Sequence, residues 1–257
     1  KQLLIYKALN WVTPEFAHIP LIHNERGEKL SKRDGKSSLL DFKQEGFLPD
    51  AMLNYLARLG WSYKDEEFFN LNQAISWFTL DGIGKSPSRF DIKKLLNISK
   101  KHLISKPEDE IHRSLLQYIK IYKDINLSET ISDKLRQYLP LIVERCISLG
   151  EIFDASSFLF EADEVRDKKT LALLDDNSRK ILSDFMHAIK SANFAWNSKL
   201  LNEFINTYCE ESSLKFRDIG IPLRMALTGS TSSPSIVHIM EILGEHQTLD
   251  RLNINVD

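Results

Sequence analysis

Cysteine is nearly missing from these 257 residues: Cys146 and Cys209 stand alone, with no C-x-x-C and no Cys/His cluster. A disulfide framework and a structural zinc are therefore not expected, and the cytosol is the natural compartment. Turn formers are scarce as well. Ten Gly and eight Pro make up about 7% of the chain where ordinary usage gives about 12%. That shortage argues against a sandwich or barrel of many short strands and for a mainly α chain. No apolar stretch reaches the roughly 18 residues of a membrane-spanning helix, so no membrane partner is expected. The chain opens at Lys1 with neither a Met nor a charged-then-apolar leader. The helical spacing of Leu4, Ile5, Ala8, Leu9 and Val12 is already under way there, which predicts a chain cut from a longer one. What is plentiful is apolar side chain, 42% of residues, enough to bury a core and to exclude whole-chain disorder.

An excess of charge of one sign is also lacking, with 34 Lys and Arg against 36 Asp and Glu. The net figure of −2 hides its distribution. From Arg26 to Lys43 six cations face Glu28, Asp34 and Asp41, and from Lys85 to Lys106 seven cations face Asp91 alone. From Glu151 to Lys168 six acids face Arg166 and Lys168. Each basic stretch alone reads as a solvated face. Two of one sign in the first 106 residues read equally well as a surface for a polyanion.

Punctuation along the chain predicts its elements. Pro14 ends the first helix, Ala17–Ile22 has the length of a strand, and Asn24-Glu25-Arg26-Gly27 reads as a turn. Helical spacing resumes at Leu39, Leu40 and Phe42 and again from Ala51 to Leu59, with Gly60 placed at a C′ position. Leu71–Phe78 is another short helix, and Ser86-Pro87 is expected to start the basic one. After Pro107, where the charge changes sign, the pattern is helical almost throughout. Ser128 is the expected N-cap of a helix that Pro140 either kinks or divides. Further helices are expected around Leu171–Leu174, Ile181–Ile189, Leu200–Tyr208 and Leu223–Leu227, and a final one through Ile236, Ile239, Met240 and Leu243.

Several chemistries drop out by motif. Gly35-Lys36-Ser37 and Gly84-Lys85-Ser86 lack the earlier Gly of a P-loop, Leu30 and Thr79 standing in its place. No H-E-x-x-H or G-x-S-x-G occurs, and the seven His lack metal-ligand spacing, so no metal site is expected. The informative run is Lys29-Leu30-Ser31-Lys32-Arg33-Asp34-Gly35. Three cations within five residues of a short loop, with one hydroxyl and one apolar anchor, are what a group needs to close over a triphosphate and neutralise its charge. As a bare charge run it also fits a solvated loop.

As a string it resembles the KMSKS signature of class I aminoacyl-tRNA synthetases, in the K-L-S-K-R form of the glutamyl-tRNA synthetases. The flanks extend the resemblance. Phe16-Ala-His-Ile-Pro-Leu-Ile22 and Glu45-Gly-Phe-Leu-Pro-Asp-Ala-Met-Leu-Asn-Tyr-Leu-Ala-Arg-Leu-Gly-Trp61 look like segments on either side of that family's loop. Lys85-Ser-Pro-Ser-Arg-Phe-Asp91 is similar to its K-S-P-x-x-F-D, and Ile221-Pro-Leu-Arg-Met-Ala-Leu-Thr-Gly229 to its P-L-R-x-A-L-T-G. The usual Trp-Leu-Asn after F-D is Leu95-Leu96-Asn97 here, and between about 107 and 215 the match is looser.

The resemblance implies a bacterial-type glutamate–tRNA ligase, with three parts in this chain. Residues 1–36 would be the end of a Rossmann-type catalytic domain with its signature loop. Residues 37–106 would be a stem-contact domain, and 107–257 the α-helical anticodon-binding domains. Lys32 would contact ATP, with Mg²⁺ as its counter-ion; Lys29 and Ser31 would shape the loop, and Arg33 holds the last signature position. Lys93 and Lys94 would belong to a tRNA-backbone surface. Arg145, four residues before Leu149, matches the family's reader of the third anticodon base, and Arg224, Ser233, Pro234 and Ile236 match the holders of the other bases. Ser233-Pro234 also reads, without the family, as N-cap and first residue of a helix whose free N–H groups could face a phosphate or base edge. Arg224 would supply a planar fork. Implied partners are tRNA-Glu, ATP and glutamate, for a cytoplasmic monomer. The H-x-G-H sequence of class I enzymes is missing from residues 1–257, so the chain alone is expected to bind tRNA without making the glutamyl adenylate.

Overall fold

A computed structural model describes residues 1–24, 26–30, 38–160 and 174–253. The elements, in chain order, are α1 (Gln2–Ala8), β1 (Ile22–His23), α2 (Leu39–Gln44), α3 (Pro49–Gly60), α4 (Leu71–Trp77), β2 (Ser88–Arg89), α5 (Ile92–Ser105) and α6 (Glu108–Tyr118). They continue with α7 (Glu129–Ile142), α8 (Leu149–Ser156), α9 (Asp176–Ser191), α10 (Ser198–Glu211), α11 (Phe216–Thr228), α12 (Ile236–Leu243) and α13 (Glu245–Asn253). The chain divides into two compact units, Lys1–Asp41 with Pro49–Ile98, and Phe42–Leu48 with Ser99–Asp257.

In the first unit α1 is shorter than its apolar spacing predicts, because Asn10 turns left-handed at φ 55° and leaves Val12 outside the helix. Residues 1–21 bury no side chain. The expected strand over Ala17–Ile22 shrinks to β1, which pairs in parallel with β2, Ile22 opposite Ser88 and His23 opposite Arg89. Pro49 opens α3 at the position where its missing N–H costs nothing. Gly60 is the last helical residue rather than a C′ glycine, and its carbonyl accepts from Gly84 N–H at 2.9 Å. A capping box of Asn70 and Gln73 starts α4, both side-chain bonds being 2.9 Å. Ser86-Pro87 does not start the basic helix: the chain is extended through β2, and the Asp91 carboxylate takes Lys94 N–H at 3.1 Å just before α5 settles in. Ala51, Met52, Tyr55, Leu59, Trp61, Phe69 and Leu95 form the core of this unit. Asn54 joins them by accepting from Phe69 N–H (3.1 Å) and donating to Glu67 O (3.0 Å).

The second unit is helical. Three acids in the first turn of α6 suit the positive end of its dipole. That helix runs on through a wider turn at Ile119–Lys123 and stops at Asp124, φ 56°. Ser128 caps α7 as expected, accepting from Ile131 N–H at 3.3 Å. Pro140 does not divide α7, which continues to Ile142 and then tightens into a 3₁₀ turn at Val143–Arg145. Ser148 caps α8. At that end two backbones touch: a Cβ on Gly150 would meet Glu45 O at 2.5 Å, and one on Gly46 would meet Gly150 N at 2.5 Å. Asp175 and Asn197 cap α9 and α10, and α11 ends at the left-handed Gly229, φ 66°. Of the expected Leu171–Leu174 helix only Leu174 is described.

The apolar spacing of the sequence ends with α12, but α13 follows, with just two leucines and with Thr248 and Arg251 among its buried residues. Helix α12 is buried on most sides, with Ile236, Val237, Ile239, Met240, Ile242 and Leu243 all inside. It is pinned by Trp196 Nε1 donating to Met240 O (2.8 Å) and by Glu241 Oε1 accepting from Ser198 N–H (3.1 Å). Packing of such side chains, at roughly 1.5–3 kcal/mol each, carries the unit.

Candidate nucleic-acid interface

A small hairpin precedes most of the basic signature. Asn24 N–H donates to Glu28 O at 2.8 Å and Leu30 N–H to Ile22 O at 3.0 Å, around Gly27 at φ 83°. Asn24 Oδ1 accepts from the N–H groups of Arg26 and Glu28, both at 3.0 Å, which fixes the turn from within. Lys29 faces solvent from the second arm. Ser31, Lys32 and Arg33 lie outside the described residues.

The Lys-rich surface is less basic than its sequence count. Lys93 is exposed, but Lys94 Nζ is 2.6 Å from Glu67 Oε1, an oxygen that Arg58 also approaches at 3.9 Å. Farther along, Lys106 Nζ pairs with Glu110 at 2.7 Å. Glu67 stands 27 residues before Lys94, beyond any local count of charge.

In the second unit four sequence-picked residues come together. A cavity of about 300 Å³ is lined by Arg145, Ser233 and Pro234, with Asp154, Ser157, Phe158, Thr228, Gly229, Ser230 and Ser232 among the other walls. Arg224, half-buried on α11, reaches its rim by donating from Nε to Ser233 Oγ at 2.9 Å. Ser233 in turn donates to Pro234 O at 3.0 Å. The hydroxyl is thus engaged by Arg224, so Ser233 is not the N-cap that the Ser-Pro pair suggests; that place belongs to Ser235, and α12 begins at Ile236. Pro234 is buried, and Ile236 is 1% exposed, which packs its side chain in the core and leaves its backbone N–H as the group it can present. Arg145 is exposed at the end of its 3₁₀ turn.

The floor of this cavity is neutral. Burial pushes the Cys146 thiol up to about 11 and the Tyr138 phenol well above its ordinary range. Charge therefore enters through Arg145 and Asp154, one donor fork and one acceptor, amid four serines and a threonine. Such a wall can hydrogen-bond the edge of an unstacked base. Asp154, Ser157 and Ser230 are the members that sequence reasoning missed, and in the string they resemble any polar residue of a helix or loop. Among the described residues no group of His, Cys, Asp or Glu could hold a metal ion, and no helix is long and apolar enough to cross a membrane.

Residues 110–256 match the family described as "Anticodon binding domain", and residues 1–97 match "tRNA synthetases class I (E and Q), catalytic domain". The glutamate–tRNA ligase of Pelagibacter ubique is 38% identical over 252 residues, covering 98% of this chain and 54% of the relative. Glutamate–tRNA ligase 1 of Bartonella tribocorum is 38% identical over 259 residues, with the same two shares. The chain belongs to the class I glutamyl-tRNA synthetase family. A crystal structure of a glutamate tRNA ligase from Elizabethkingia meningosepticum, in complex with its amino acid, superposes with a TM-score of 0.74 at 26% identity, over 99% of this chain and 53% of that one. The chain thus spans about half the length of the synthetases it matches.

Proposed function

We propose that this chain is the tRNA-reading part of a glutamate–tRNA ligase, whose whole activity joins glutamate to tRNA-Glu at the expense of ATP. The observation that carries the proposal is the Arg224–Ser233 bond at the rim of a cavity that Arg145 also lines, inside the segment that matches an anticodon binding domain. In this reading Arg145 pairs with one base edge, while Arg224, Ser233, Pro234 and the Ile236 backbone hold its neighbours. Lys93 and Lys94 neutralise backbone phosphates, Lys94 after release from Glu67. Lys29, Ser31, Lys32 and Arg33 close over ATP and its Mg²⁺. The parts run 1–36, 37–106 and 107–257 as catalytic end, stem contact and anticodon reader, in a cytoplasmic monomer.

Without an H-x-G-H sequence in residues 1–257, the chain alone is expected to dock tRNA and to show no glutamate-dependent ATP–pyrophosphate exchange, with or without tRNA; turnover would overturn that part. The anticodon assignment has its own test. Arg145→Ala or Arg224→Ala should each cost roughly 1–3 kcal/mol in binding tRNA-Glu and relax the choice among anticodon variants. Filter binding to a series of transcripts checks this, and undiminished discrimination by both variants would defeat the assignment.

A further inference from the structure

Arg251, on α13, is the largest fully buried side chain among the described residues. Taking a guanidinium out of water is costly unless its donors are used. Arg251 Nη1 donates to Leu227 O at 2.6 Å and Nη2 to Phe158 O at 2.8 Å, with the guanidinium carbon 6.0 Å from the Phe158 ring centre. Leu227 lies in the last turn of α11, immediately before Thr228 and Gly229, which line the cavity from one side. Phe158, next to Ser157 in a 3₁₀ turn, lines it from another.

One rigid planar fork therefore ties together two walls of the same cavity, and the fixed separation of its nitrogens sets how far apart the two carbonyls stand. The helix that carries the fork is itself anchored. Lys134 Nζ donates to Leu243 O (2.9 Å) and to Gln247 Oε1 (2.8 Å), joining α7 to the end of α12 and the first turns of α13. Burial, and then the nearby charge of Arg251, lower the pKa of Lys134.

We infer that Arg251 is a positioning residue for base recognition: by spanning Leu227 O and Phe158 O it holds the Thr228–Ser233 wall at the distance from the Ser157–Phe158 wall that a matching base requires. The inference rests on the anticodon reading of the cavity. It makes selectivity, and not stability alone, depend on a side chain that touches no ligand.

The test measures dissociation constants of the 257-residue chain at 25 °C for a tRNA-Glu transcript and for transcripts altered singly at each anticodon base. Arg251→Lys keeps the charge but offers a point donor in place of a fork. In this variant, folded by circular dichroism, binding of the matched transcript should weaken about tenfold, the scale of one lost bidentate base contact. Altered transcripts should bind as before, so the discrimination ratio collapses by the same factor. An unchanged ratio, or parallel loss for all transcripts, would overturn the inference. Should Arg251→Lys fail to fold, Phe158→Leu leaves every backbone acceptor in place and removes the ring beside the guanidinium; its ratio should narrow, and an unchanged one overturns the inference likewise. Arg145→Ala separates the two readings. If it abolishes discrimination while the Arg251 and Phe158 variants keep it, positioning alone fails; if the parent chain shows no preference, or Arg145→Ala and Arg224→Ala both leave it intact, the anticodon reading fails and takes this inference with it.

Discussion

The phenol of Tyr55 closes the first unit through a single residue, donating to Asp91 O at 2.9 Å and accepting from Asp91 N–H at 2.7 Å. Its ring meets Phe90 edge-on, with centres 5.4 Å apart. Burial pushes this phenol up from 10.0 to about 12. The raised value means that the folded chain keeps its proton where the unfolded chain has lost it. The contribution to stability is therefore full below pH 10 and drains away as the pH climbs toward about 12. Urea midpoints across that window should fall less steeply in Tyr55→Phe than in the parent, although the variant starts about 1 kcal/mol less stable at neutral pH for want of its hydrogen bonds. Equal slopes would contradict the assignment. In the string a motif drew attention to single residues such as Arg224 and Arg145, whose roles are part of the proposal. Their partners were not: Glu67 against Lys94, Ser233 against Arg224 and Phe158 against Arg251 are pairings that only the fold creates.

Helices declare themselves by apolar spacing, which is why α3, α7, α9 and α10 were expected close to where they lie. Ends are harder, because a cap competes with whatever else the polar side chain can bond. Ser128 accepts from Ile131 N–H and caps α7, whereas Ser233 is taken by Arg224 and Ser86-Pro87 belongs to a chain still extended toward β2. Helix α13 was missed because a buried arginine and threonine occupy positions where a periodicity count looks for leucine. Close approach between elements is equally silent in the string. Gly150→Ala makes the point measurable: helix propensity favours Ala by up to about 1 kcal/mol, but the added Cβ would sit 2.5 Å from Glu45 O, and overpacking of that kind costs about 1–3 kcal/mol. The clash should win, with a lower melting temperature for the variant. A rise would show that the segment around Glu45 gives way freely.

For the whole molecule, a net charge of −2 conceals the feature that matters to a polyanionic partner. The exposed Lys93 should add affinity for every tRNA alike, so Lys93→Ala should weaken all transcripts together and flatten the plot of log affinity against log salt by about one unit of slope. A loss confined to one anticodon would place Lys93 elsewhere. Family and helical character were legible because each is written as a contiguous pattern; the cavity was not, since its walls come from stretches some 90 residues apart. The deep burial of α12 has a further consequence for the life of the chain. Ile-Val-His-Ile-Met-Glu-Ile-Leu, residues 236–243, is short, apolar, nearly uncharged and free of proline, the composition that stacks into cross-β ladders when neighbouring helices are not there to cover it. Heat or denaturant that strips those helices away exposes a ready nucleus, so inactivation at high protein concentration should run toward fibrillar aggregate, and the unfolded chain should be recovered best when dilute.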